Sequence, residues 1–479
     1  MQIALLLPLA LSACAFDDKS DTGATGSPDT GFLVDPEEDR DTADTGEDCD
    51  DQTPVALYLS PDDSNSMSSP VQARESVLSD WDTLDHVGLR KWEFMNYYSF
   101  DYEAAPKREV RVAAEMVDDG DGRYSMQIGV ASEAWTTEGR RPMNIVFVLD
   151  TSGSMTGSSL ALLKDVCLEI SSQLKAGDVV SAVSWNDEQE VVLEERTVSG
   201  PSDPVLEAAI ESLRADGSTN LLAGLRTGFG LAMRNWSEDR INRMVLVTDG
   251  GVNTGVTELD VIASYAGGVN EDGVYLVGVG VGSATTYHDA AVDSLTDAGK
   301  GASVFVPSSE EAHRMFGERF SEVMGVAARD VGVALDLPPG FRMLRFSGEE
   351  YSTEPEDVEP QNLSPNDAMV FFQQMETCAP GLVTATTPIS LRLRYKDAIT
   401  FADREATLTT TFGEIVGSGS PVFLKGRAVF EYATALRDWR DRHDKKHLTA
   451  ALAAVEAAQV AYPRDAELAE IRSVIEALR

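Results

Sequence analysis

Basic side chains are scarce in this 479-residue chain: 39 Lys and Arg stand against 80 Asp and Glu, a net charge of −41. Nucleic acid is held by clustered Lys and Arg that displace counterions from phosphates, so that class of partner is excluded. Divalent cations and basic surfaces suit the charge better. Long apolar runs are missing as well, and none reaches the roughly 18 residues that a spanning helix needs. Histidine occurs only five times, as His86, His288, His313, His443 and His447. There is no His-Glu-x-x-His, no glycine-rich phosphate loop followed by Lys, and no Gly-x-Ser-x-Gly. The usual motifs of zinc hydrolysis, phosphoryl transfer and serine acyl transfer are therefore absent. His443 and His447, four apart on an expected helix, have no third partner for zinc and read as an exposed helix face. Four cysteines are too few for a disulfide-stapled scaffold.

What is present is an ordinary globular composition, 43% apolar and 25% charged, over a length that predicts about three domains. The opening MQIALLLPLALSAC has an apolar stretch from Ile3 to Leu11, the length of a secretory signal core. Leu11-Ser12-Ala13-Cys14 resembles the bacterial lipobox. That resemblance implies a signal peptide over 1–13, lipidation of Cys14, and a chain tethered to a membrane of the cell envelope; Ala15 resembles the signal for outer-membrane sorting. Between Asp17 and Asp51 fourteen acids face only Lys19 and Arg40, so residues 14–54 are expected to form an extended acidic stalk. Asp-Thr-Gly recurs there at 21, 29 and 44, without the apolar strand that precedes it in aspartic proteases, and reflects composition. With Cys14 set aside three cysteines are left, an odd number. Cys167 reads as a small core residue, and pairing of Cys49 with Cys378 stays open.

Alternating apolar residues, Val110, Val112, Ala114 and Met116, then Tyr124, Met126, Ile128 and Val130, flank Asp118-Asp119-Gly120-Asp121-Gly122 and predict a half-buried hairpin. Residues 55–142 are read as a β-rich flank, in which the aromatic run Tyr97, Tyr98, Phe100 and Tyr102 packs on a strand. From Met143 the pattern changes. Short unbroken apolar runs (145–149, 179–183, 244–247, 275–279, 304–306) alternate with helical periodicity near 159–174, 204–213, 221–235, 258–270 and 310–324. Strands buried on both faces between helices predict a doubly wound α/β domain over 143–326. Alternation returns at Val331, Val333, Leu335 and Leu337 and at Leu391, Leu393 and Tyr395. A second β-rich flank thus spans 327–422 and a helical segment spans 423–479. The predicted fold is a Rossmann-like α/β domain inserted in or flanked by a β-sandwich.

Chemistry concentrates at one edge of the α/β domain. Asp150-Thr151-Ser152-Gly153-Ser154 follows the strand Ile145 to Leu149 directly, where open α/β sheets form their ligand crevice. Gly217-Ser218-Thr219-Asn220 precedes a helix, and Thr248-Asp249-Gly250-Gly251 follows the strand Met244 to Val247. Their oxygens suit a hard cation, Mg2+ first, with Mn2+ or Ca2+ as competitors. At these residues the sequence resembles the von Willebrand factor type A domain and its metal-ion-dependent adhesion site. The family pattern Asp-x-Ser-x-Ser, then Thr, then Asp is filled at Asp150, Ser152, Ser154, Thr219 and Asp249. Glu93-Phe94-Met95-Asn96-Tyr97-Tyr98-Ser99-Phe100-Asp101-Tyr102 and Tyr287-His288-Asp289 resemble segments of bacterial envelope lipoproteins that carry this domain.

The resemblance implies a cation held by Ser and Thr hydroxyls and two Asp, with one coordination position open to an acidic side chain of a protein ligand. The expected function is a membrane-anchored, non-enzymatic adhesion or assembly module. The alternative is a metal-dependent hydrolase or an accessory subunit of an envelope enzyme.

Overall fold

A computed structural model describes residues 50–61, 65–79, 83–251, 259, 261–264, 273–285, 287 and 289–479. Cys14 and the acidic stretch up to residue 49 lie outside them, as does Cys49, the candidate partner of Cys378. Cys378 is disulfide-bonded, and Cys167 is a buried free thiol.

The strand Met143–Asp150 is buried at every position, as are Val179–Trp185, Ile241–Thr248 and Tyr275–Val281. Such strands need cover on both sides, and helices supply it. Ser158–Ser172 and Pro204–Ser212 close one face through Leu163, Val166, Ile170, Leu206 and Ile210. Leu221–Arg234 closes the other through Leu225 and Phe229. This helix approaches closely because Gly228 has no side chain: a Cβ there would lie 2.5 Å from Val148 Cγ2. The sheet runs Gln189–Thr197, Val179–Trp185, Met143–Asp150, Ile241–Thr248, Tyr275–Val281, Ser303–Val306. All pairings are parallel except that of the edge strand Gln189–Thr197. The order reverses at Met143–Asp150, so the crevice opens between its carboxyl end and that of Ile241–Thr248.

Strands on both sides of this domain in sequence meet in a sandwich. One sheet joins Val55–Ser60 to Ala328–Leu337, Pro388–Asp397 and Asp403–Thr411; the other joins Arg111–Gly120 and Arg123–Ala131 to Ala368–Thr377 and Phe341–Phe346. Leu57, Val333, Leu335, Leu391 and Leu393 meet Ile128, Val130 and Phe371 in its core. The α/β domain is therefore an insertion in the sandwich. Its last helical stretch passes from Ser309–Ala312 through a π-helical turn, His313–Glu318, to Phe320–Met324, and the strand Ala328–Leu337 follows after three residues.

The flank before residue 143 is not uniformly β. Ser68–Leu78 and Lys91–Tyr97 are helices, and the aromatic run begins at the end of the second rather than on a strand. Phe94 and Tyr98 pack instead against Tyr432, with ring centroids 5.4 and 6.4 Å apart. Tyr432 belongs to Pro421–Arg442, the first of three carboxyl-terminal helices, followed by Lys445–Ala461 and Ala466–Leu478. Alternation along Ala368–Thr377 explains the seat of the first: Phe371 faces the sandwich core, while Phe372 turns outward to Phe423 and Phe430. His443 and His447 do not share a helix face. His443 caps Pro421–Arg442 in the left-handed conformation, and His447, on the next helix, lies 3.3 Å from Asp438.

Candidate metal centre

Asp150 ends the strand Met143–Asp150 with only 1% of its surface exposed. Its Oδ1 accepts the Ser152 N–H at 2.9 Å, and its Oδ2 accepts the Thr248 hydroxyl at 2.7 Å from the neighbouring strand end. Burial raises the carboxyl above its usual value; Ser152 and Thr248 oppose the rise and the Asp249 charge adds to it. Among the described residues no Lys, Arg or His pairs with it. A buried carboxylate without a counter-charge is costly, and a cation at this place would supply one.

The chain then turns so that more oxygens follow. Ser152 is buried, and its Oγ lies 3.2 Å from Ser154 Oγ, which is exposed. Buried Met155 pins the loop to the core. The Thr151 N–H and hydroxyl both donate to the Trp185 carbonyl, at 2.9 and 3.1 Å. After Thr248 the backbone reverses through Gly250, whose φ is +81°, and the Gly251 N–H donates to Asp249 Oδ1 at 3.0 Å. A Cβ on Gly251 would lie 3.1 Å from that oxygen and 3.9 Å from Ser154 Oγ. The missing side chain thus leaves open a cradle edged by Asp249 and Ser154.

Four of the five expected residues, Asp150, Ser152, Ser154 and Asp249, are brought to this crevice. Thr219 is carried to it by backbone rather than by side-chain contact. The Gly153 N–H donates to the Gly217 carbonyl at 3.0 Å and the Asp216 N–H to the Thr151 carbonyl at 2.9 Å, which lays residues 216–220 beside the Asp150 loop. Thr219 itself is exposed, and its hydroxyl makes no hydrogen bond among the described residues. Asn220 caps the following helix by accepting the Ala223 N–H at 3.3 Å. Among the described residues no three His, Cys, Asp or Glu side chains gather as metal ligands. The donor set here is two carboxylates with hydroxyls, which fits a hard, partly hydrated divalent ion.

Sequence reasoning named the Thr248 loop without its bond to Asp150 and missed Asp187 altogether. Thr248 orients Asp150, and only its hydroxyl beside Asp249 hinted at this. Asp187, on the turn after Val179–Trp185, accepts from Ser218, and no motif announces it.

A doubly wound sheet with an oxygen-lined crevice at its switch point defines the class of this domain, and comparison with known proteins shows what the domain matches. Residues 144–318 match the von Willebrand factor type A domain, and the chain carries such a domain. It is similar to the uncharacterized protein YfbK of Escherichia coli, at 26% identity over 53% of this chain and 45% of that one. To the uncharacterized protein sll0103 of Synechocystis it is 27% identical over 45% of this chain and 49% of that one. The chain spans about half the length of these curated relatives. A solved von Willebrand factor type A protein from Catenulispora acidiphila overlays with a TM-score of 0.49 at 15% identity, covering 76% of this chain and 89% of its own.

Proposed function

We propose that this chain is a membrane-anchored, metal-dependent protein-binding module serving adhesion or assembly at the bacterial envelope, and not an enzyme. The carrying observation is the buried Asp150 carboxylate, held by two donors, lacking a basic partner among the described residues, and sharing its crevice with Ser152, Ser154 and Asp249. Asp150, Ser152, Ser154, Thr219 and Asp249 would hold the ion, Mg2+ by preference and Mn2+ or Ca2+ otherwise. When bound, that ion supplies a positive centre able to accept a carboxylate oxygen from an acidic side chain of a protein partner. The chain's own residues prepare the place: Thr248 and the Ser152 amide fix the Asp150 carboxylate, and Gly251 keeps the approach between Asp249 and Ser154 clear. Cys14, through its lipobox-like setting, is the proposed anchor, with the outer membrane favoured where two membranes exist.

The test is capture of envelope proteins on the immobilised chain in Mg2+ and in EDTA, alongside Asp150→Ala. Capture that needs Mg2+ and is lost in the variant supports the reading. Capture indifferent to both overturns it.

A further inference from the structure

The loop that brings Thr219 to the crevice is braced from outside the site. Strand Val179–Trp185 turns into the antiparallel edge strand Gln189–Thr197 through Asn186, Asp187 and Glu188. The turn is closed on itself: the Asn186 N–H donates to the Glu188 carbonyl at 2.9 Å, and the Glu188 N–H donates to Asn186 Oδ1 at 3.2 Å. From this turn the Asp187 carboxylate crosses to the 216–220 loop. Its Oδ1 accepts the Ser218 N–H at 3.1 Å and also the Ser218 hydroxyl. Its Oδ2 covers Gly217, where a Cβ would lie only 2.6 Å away and where φ is +80°. Gly217 is the residue whose carbonyl accepts the Gly153 N–H of the Asp150 loop. Thr219 therefore sits between Ser218, held by Asp187, and Asn220, held by its capping bond to Ala223.

Nothing about Asp187 itself requires this arrangement. It is exposed, and no hydrophobic packing depends on it. The bonds to Ser218 hold the carboxyl below its ordinary value, so it is ionised and accepting at neutral pH. A charged acceptor with two donors gives a stronger and more directional tie than a neutral contact.

We infer that Asp187 is a positioning residue of the cation centre: it fixes the Gly217–Ser218 backbone so that the Thr219 hydroxyl is presented to the ion. This rests on the reading of the crevice as a divalent-cation site. Thr219 makes no hydrogen bond of its own among the described residues, so its placement depends on the backbone to either side. The same carboxylate lies on the rim, and its charge alone would attract a cation. The two roles separate because an Asn side chain keeps the accepting oxygen and loses the charge, whereas Ala loses both.

The experiment compares the unmutated chain, Asp187→Asn and Asp187→Ala in two measurements: Mg2+ affinity by titration calorimetry, and amide hydrogen exchange at Ser218 in the metal-free protein. Loss of a residue that orients a ligand from behind typically weakens metal binding about 10- to 100-fold. The expected result is a loss of about that size and faster Ser218 exchange in Asp187→Ala, with Asp187→Asn, which keeps the acceptor but not the charge-assisted bond, losing clearly less in both. Equal loss of affinity in both variants with unchanged exchange would make Asp187 a rim charge and overturn the positioning role. Unchanged affinity and exchange in Asp187→Ala would overturn it as well. Absence of Mg2+ binding by the unmutated chain would instead remove the cation reading itself, while the exchange rates still report whether the brace exists.

Discussion

Replacing Thr248 by Val tests whether Asp150 is held ready by its neighbour. The two side chains have nearly the same shape, and both β-branched residues suit the end of a strand. What the variant loses is one oxygen at a fully buried position. That oxygen donates to Asp150 Oδ2 at 2.7 Å and accepts the Gly250 N–H at 3.2 Å. A hydrogen bond to a charged group contributes about 1.5–3 kcal/mol, and leaving a buried N–H unpaired costs about 1–3 kcal/mol. Partial relaxation of the turn around Gly250 offsets some of this, so a net destabilisation of about 2–3 kcal/mol is expected for the metal-free protein. Urea denaturation in EDTA reads it as a lower midpoint. With the Asp150 carboxylate then held only by the Ser152 N–H, Mg2+ affinity in calorimetry falls about 10- to 100-fold. A variant with the unmutated chain's midpoint and affinity would refute the claim that Thr248 orients Asp150.

Acid should act through Asp203, which caps Pro204–Ser212 and pairs with Arg196 at 2.8 Å. The Arg196 guanidinium, aided by backbone N–H groups, holds its carboxyl down to about 2. A depressed carboxyl stabilises the fold above its ordinary value of 3.8 and loses that contribution as pH falls through about 2. The stability gap between the unmutated chain and Asp203→Ala should therefore narrow over that window, and a gap constant from pH 5 to 2 would contradict the pairing. Gly228→Ala drives a Cβ to 2.5 Å from Val148 and 3.0 Å from Met244; a loss of about 1–3 kcal/mol is expected, and an unchanged denaturation midpoint would deny that close approach. Cys14→Ser should abolish labelling by a fatty-acid analogue and membrane retention together, whereas an unmutated protein recovered wholly in the soluble fraction would defeat the anchor.

The crevice was legible where chemistry follows a buried strand in sequence. Ile145 to Leu149 is an unbroken apolar run, so Asp150 and the two serines after it had to emerge at the sheet's carboxyl edge, and Asp249 follows its own strand in the same way. Asp187 was hidden for the opposite reason. Its partner Ser218 lies 31 residues away, and Asn-Asp between two strands reads as any turn. The helices before residue 100 escaped for another reason. Nine of the eleven residues of Ser68–Leu78 are buried, and a helix covered on nearly every face shows no amphipathic stripe. The aromatics of Lys91–Tyr97 carry strand propensity, which packing against Pro421–Arg442 overrides. The edge strand Gln189–Thr197 is mostly exposed and acidic, so apolar periodicity did not reveal it either.

The central claim is that Asp150 and the oxygens around it hold a divalent cation. It is tested most directly by titrating Mg2+ into the metal-free chain in a calorimeter, with Asp150→Ala in parallel and circular dichroism to verify that the variant is folded. The account predicts saturable binding at one site in the unmutated chain and none in the folded variant. No binding by the unmutated chain, or equal binding by both, would contradict it.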